Sequence, residues 1–146
     1  MTKYTVTFNG QTFTRKSERT YTHLVLATSN LEHAISSVHE RANSNTFLRD
    51  YQYYCREADE TTRKYSHSEK ETALFKEIAA KALEQHRQDV IAKDLATIEA
   101  HRLAGDFEKF NVVGWCGRED LAEKSASSAR AKPWNDKVIV VPVTAA

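Results

Sequence analysis

Tyr4-Thr5-Val6-Thr7-Phe8-Asn9-Gly10-Gln11-Thr12-Phe13-Thr14-Arg15 is the stretch whose reading decides the fold class. Apolar and polar residues alternate on both sides of Asn9-Gly10, which is the period of a strand that buries one face. Asn-Gly is also the pair that tolerates positive φ at both central positions of a type I′ turn. The segment therefore reads as a β-hairpin with a two-residue loop. In that register Val6 faces Phe13 and Tyr4 faces Arg15, so one face of the ribbon is apolar and packs on something else. The threonines take the other face.

Outward from the hairpin, Lys16-Ser17-Glu18-Arg19 supplies a polar turn, and Thr20 to Ala27, rich in Tyr, Thr, Val and Leu, reads as a third antiparallel strand. The period then changes at Thr28-Ser29-Asn30. Ser29 with Glu32 makes a capping box that starts a helix. Leu31, Ala34, Ile35, Val38 and Ala42 follow at spacings of three and four, an amphipathic stripe expected to lie on the meander. Asn43-Ser44-Asn45 interrupts the pattern, which resumes at Phe47, Leu48, Tyr51, Tyr54, Cys55 and Ala58; one helix and two helices both fit. Ser66 with Glu69 and Ser68 with Glu71 form overlapping capping boxes, the expected tip of a helical hairpin. From Glu69 to Ala104 there is no Gly or Pro, and Gly105 stands where a helix commonly ends in a left-handed residue. A single helix there is roughly 50 Å long at ~1.5 Å per residue, longer than a core of this size covers. The run from Glu84 to Asp89 marks its expected solvent-facing portion.

Phe110 to Cys116 reads as a strand, Asp120 to Arg130 as an alanine- and serine-rich helix, and Val138 to Val143 as a β-branched last strand. The crossover is long enough to join parallel strands, and Pro142 places the last strand at an edge. The expected fold class is therefore α+β: an N-terminal three-stranded antiparallel meander, a long helical hairpin, and a C-terminal strand-helix-strand completing a mixed sheet. One domain spans 1–146, with its sheet core in 1–28 and 106–146 and the hairpin in 29–105.

The chain has 146 residues, enough for one core, and its 21 basic and 20 acidic residues leave a formal charge of +1. No global field draws it to nucleic acid or to an anionic membrane, so such binding rests on a local patch. Cys55 and Cys116 lie far apart without metal-ligand spacing, so neither a disulfide framework nor a zinc site is expected. The first residues run straight into the strand pattern with no secretory leader, and no stretch approaches the ~20 apolar residues of a membrane span. The expected compartment is the cytoplasm.

No catalytic, metal or cofactor-binding set assembles in the sequence. The six histidines lack the i, i+4 pairing that holds a metal on a helix face. His23, beside Tyr21 on a strand, is the one candidate acid or base, and Cys116 the one candidate nucleophile; neither has a partner nearby in sequence. Gly114-Trp115-Cys116-Gly117-Arg118 ends a strand before a helix, where free N–H groups can hold an anion, yet its spacing is that of neither a dinucleotide loop nor a P-loop. It reads as a structural turn with Trp115 in the core. Arg49-Asp50-Tyr51-Gln52-Tyr53-Tyr54-Cys55-Arg56 interleaves rings and guanidinium groups, and three readings compete: a core seam of Tyr51, Tyr54 and Cys55, a protein interface, or a stacking surface for bases. Arg49, Tyr53, Arg56, Arg63 and Lys64 are the expected partner-binding residues, with Arg63 and Lys64 also placed to pair along the helix with the acidic run from Glu57 to Glu60. Arg15, Lys16 and Arg19 cluster at the second turn and form the alternative, a nucleic-acid site.

The stretches YTVTFNGQTFTRKSERTYTHLVLA (4–27), GWCGREDLAEKSASSAR (114–130) and VIVVPV (138–143) resemble small accessory proteins of bacteriophages and other mobile elements. That resemblance implies a stoichiometric inhibitor of a host defence system, of the anti-CRISPR kind, acting in the host cytoplasm. It implies no catalytic residues. The expectation is a non-enzymatic protein that binds a host protein or defence complex. Homodimerisation through Ile91, Leu95 and Ile98 is also expected, because two copies of the long helix then cover each other's apolar positions.

Overall fold

β1 (Thr2–Phe8) and β2 (Gln11–Ser17) close on Asn9 and Gly10, whose φ angles of 49° and 76° are those a type I′ turn requires. Val6 lies opposite Phe13 and Tyr4 opposite Arg15, as the alternation dictates. The computed structural model describes residues 1–44, 49 and 69–145 of the chain.

β3 (His23–Ser29) does not continue the hairpin as a meander. It is the centre of a second sheet of order β4-β3-β5, antiparallel to β4 (Phe110–Cys116) on one side and β5 (Asn135–Pro142) on the other. The fold is α+β, but the five strands among the described residues make two antiparallel sheets rather than one mixed sheet. The physical reason lies in β3 itself. Leu24, Val25 and Leu26 are 0% exposed and Ala27 3%, so both faces of the strand are buried. Such a strand needs partners on both edges and a layer on each face. β4 and β5 do run parallel to each other, as the long crossover permits, but β3 is inserted between them. Pro142 sits on an edge strand, where its missing N–H costs no ladder bond.

The β1–β2 ribbon covers one face of β3: Tyr4 and Val6 pack with Tyr21, Leu24, Leu26, Phe110 and Val143. The other face is covered by α3 (Glu119–Arg130), whose Ala122, Ala126 and Ala129 meet Val25, Ala27 and Val138. Small side chains at spacings of four and three let this helix lie close to the sheet. α3, not the first helix, is therefore the cover of the sheet.

α1 (Leu31–Ala42) starts one residue later than the capping box suggests. Asn30 is its cap, Oδ1 accepting from the His33 N–H at 3.0 Å, while Ser29 ends β3. α2 (Glu69–Leu103) runs for 35 residues and stops at Gly105, whose φ is 77°. There the Asp106 N–H returns to the His101 carbonyl at 3.0 Å, the closure of a helix end on a left-handed residue. The expected hairpin tip at 66–68 lies outside the described residues.

The chain divides into two compact units, Met1–Ala34 with His101–Ala146, and Ile35–Ala100. The first holds both sheets and α3. In the second, Ala42 packs with Leu83, Val90 and Ile91, and the Arg87 guanidinium donates to the Ala42 carbonyl at 2.9 Å, satisfying the end of α1.

Candidate functional site

The open end of the β1–β2 ribbon carries the basic cluster. Arg15 and Lys16 are exposed on β2 and Arg19 on the turn beyond it. The turn is fixed by its own hydrogen bonds: Tyr4 Oη donates to the Arg19 carbonyl at 3.0 Å, and the Arg19 N–H donates to Ser17 Oγ at 3.1 Å. Arg15 lies on the apolar side, its guanidinium carbon 5.2 Å from the Tyr21 ring centroid, while Lys16 points to the threonine side. Sequence reasoning missed a fourth cation. Pairing places Lys3 directly opposite Lys16, a juxtaposition that only the hairpin register reveals.

The partner-binding candidates on the helical stretch are less visible. Arg49 is helical and exposed; Tyr53, Arg56, Arg63 and Lys64 lie outside the described residues. Ile91, expected to face solvent for self-association, instead packs against Ala42 and Leu83, and Leu95 and Ile98 are half-buried. The reason is that α1 ends against this part of α2. Among the described residues the large apolar side chains that α2 leaves in solvent are Leu74 and Ile78, 52% and 55% exposed and one turn apart, and Leu103 at its last position, 72% exposed. Lys70, Ala73, Leu74 and Glu77 line a surface hollow of about 340 Å³ there. The Glu84–Asp89 run is exposed apart from Arg87, which is half-buried.

The structure brings His23 and Cys116 to opposed positions of the β3–β4 ladder, a proximity their sequence separation hides. Each side chain has its own neighbours. His23 Nδ1 is 2.8 Å from Thr22 Oγ1, and Cys116 packs against the cluster beneath α3. Burial pushes the Cys116 thiol above its ordinary value, away from the reactive thiolate. Trp115 is only partly buried, packed against the ribbon-side core and tilted on Tyr21 at 6.0 Å. At the start of α3 Arg118 pairs with Asp120 at 3.2 Å, and Glu119 and Asp120 supply the negative charge that a helix start favours.

Among the described residues no group of three or more His, Cys, Asp and Glu side chains is placed to hold a metal ion, and no helix is long and apolar enough to cross a membrane. Comparison with known proteins finds no matching family model, no matching curated protein and no matching solved structure.

Proposed function

We propose that the protein is a non-enzymatic binding protein that occupies the surface of a protein partner, and that in its most specific form it inhibits a bacterial defence complex. The observation that carries the reading is the exposed pair Leu74 and Ile78 on a 35-residue helix. A helix of that length spans about 52 Å. Two large aliphatic side chains one turn apart, rimmed by Lys70 and Glu77, form the apolar centre and polar rim of a small docking face. The defence-complex form rests on the resemblance of the two chain ends to phage accessory proteins. Arg49, Tyr53, Arg56, Arg63 and Lys64 are proposed as further contacts of the same partner.

The test is an affinity pull-down of the tagged protein from nuclease-treated bacterial lysate, run beside the double variant Leu74→Asp, Ile78→Asp. One stoichiometric partner, retained after nuclease and lost from the variant, supports the reading. A partner held equally by the variant, or released by nuclease, overturns it. Mass photometry of the purified protein reads self-association in the same experiment, and a monomer at micromolar concentration removes the homodimer.

A further inference from the structure

The outward face of the β1–β2 ribbon is built from three cross-strand pairs of like residues: Lys3 opposite Lys16, Thr5 opposite Thr14, and Thr7 opposite Thr12. All are exposed except Thr5, which is half-buried. The alternation that buries Tyr4 and Val6 against the sheet fixes these six on the other side. Residues 1–17 contain no Asp or Glu, and Glu18 is the first acid in the chain. Arg15 and Arg19 extend the positive end of the ribbon. Among the described residues none of Lys3, Arg15, Lys16 and Arg19 takes part in an ion pair. Like charges directly opposite on adjacent strands destabilise a ribbon. Lys3 and Lys16 therefore stand at a net cost to the isolated protein, which an anion bridging them removes.

We infer that this face is a docking surface for the phosphate backbone of double-helical DNA, with the ribbon lying along the major groove. The groove is about 12 Å wide and admits a two-stranded β-ribbon. Lysine and arginine neutralise phosphates, and threonine hydroxyls donate to phosphate or accept from and donate to base edges. The occupant is a duplex rather than a single strand, because the face offers hydroxyls and ammonium groups but no aromatic platform for unstacked bases. It is DNA rather than double-stranded RNA, whose major groove is too deep and narrow to receive the ribbon. The site is independent of the Leu74–Ile78 face and stands or falls separately.

The experiment is fluorescence anisotropy of the full chain with a labelled 20-base-pair DNA duplex, the matching single strand and the matching RNA duplex, between 50 and 200 mM KCl. With Lys3, Lys16 and Arg19 each meeting one phosphate, DNA-duplex affinity falls about 40-fold over that range. Lys3→Glu and Lys16→Glu each weaken binding at 50 mM salt and reduce the salt effect to about 12-fold. Each also places opposite charges across the rung, so its thermal midpoint stays level or rises, which separates lost binding from lost folding. No duplex binding at 50 mM KCl, equal affinity in both variants, or tighter binding of the single strand or the RNA duplex overturns the inference.

Discussion

Gln11 and Phe110, ninety-nine positions apart, are joined as two strands would be: Gln11 Nε2 donates to the Phe110 carbonyl at 3.0 Å, and the Phe110 N–H donates to Gln11 Oε1 at 2.7 Å. A side-chain amide here takes the place of a backbone partner. β2 and β4 belong to different sheets, and this reciprocal pair ties the ribbon to the main sheet where Phe8 stacks edge-on to Phe110 at 5.2 Å.

Gln11→Met keeps the length and removes both hydrogen bonds, so it leaves the Phe110 N–H and C=O without partners. Each unpaired buried group costs about 1–3 kcal/mol, and the part-buried setting favours the lower half of that range. Urea denaturation of Gln11→Met and Gln11→Ala should give similar losses of about 2–4 kcal/mol for the two groups together. Stability restored by Met would mean that packing, not hydrogen bonding, holds the ribbon.

Thr28 plays the same part on the other side of β3. The β3–β5 register slips between Ala27 and Ser29, and the Lys137 N–H finds Thr28 Oγ1 at 3.0 Å instead of a backbone carbonyl. Thr28 is the buried polar residue of the described core, 3% exposed. Thr28→Val is nearly isosteric but orphans that N–H, and should lose about 1–3 kcal/mol, whereas Thr28→Ser should retain most of it. Hydrogen exchange at Lys137 reads the same bond directly, becoming faster in Thr28→Val only.

These two side chains explain how much of the fold the sequence discloses. The hairpin was legible because Asn9-Gly10 and the alternation around it specify register locally, and the end of α2 because Gly105 is a local signal. The partners of β3 were not legible. Leu24 to Thr28 is a continuous buried run, which announces a central strand but does not name its neighbours, and the adjacent hairpin is the default neighbour in sequence. What selects β4 and β5 instead is non-local: Gln11 on Phe110, Thr28 on Lys137, and the alanine face of α3. The candidate site divides the same way. Arg15, Lys16 and Arg19 are adjacent in sequence and were found; Lys3 joins them only through cross-strand pairing.

Gly117 and Gly105 test two different demands on glycine. A Cβ on Gly117 would stand 2.9 Å from the Thr20 carbonyl, a backbone atom that cannot turn aside, while Gly105 has open space but a φ of 77°. Gly117→Ala should cost about 1–3 kcal/mol through overpacking. Gly105→Ala should cost about 1 kcal/mol through backbone strain, and Gly105→Asn less, since Asn tolerates that conformation. Thermal melts that rank Gly105→Ala as the more damaging change would contradict the close approach at Thr20.

Cys116 should be a slow thiol. Its burial beneath α3 disfavours the thiolate, so alkylation by iodoacetamide at pH 8 in a Cys55→Ser background is expected to be several-fold slower than that of free cysteine. Unfolding in urea should remove the difference. A rate above that of free cysteine would instead indicate an activated thiolate and revive a role for His23 across the ladder.

The end of α2 carries a charge cluster whose acid response has a definite sign. His101 Nδ1 donates to Asp106 Oδ2 at 2.7 Å and Lys109 Nζ to Oδ1 at 2.9 Å. The His101 hydrogen bond first, and the Lys109 hydrogen bond after it, hold the Asp106 carboxyl below the usual carboxylate range. A carboxylate whose folded pKa is depressed contributes stability that is fully present above its unfolded value of about 4 and is lost as pH falls through the folded value. Asp106→Asn removes that titration. Thermal midpoints of the wild type and Asp106→Asn should therefore differ most at neutral pH and converge as pH falls below about 4. The side chains are exposed, so 0.5 M NaCl should shrink the neutral-pH difference, whereas a difference that persists unchanged in salt would assign it to the helix-end geometry alone.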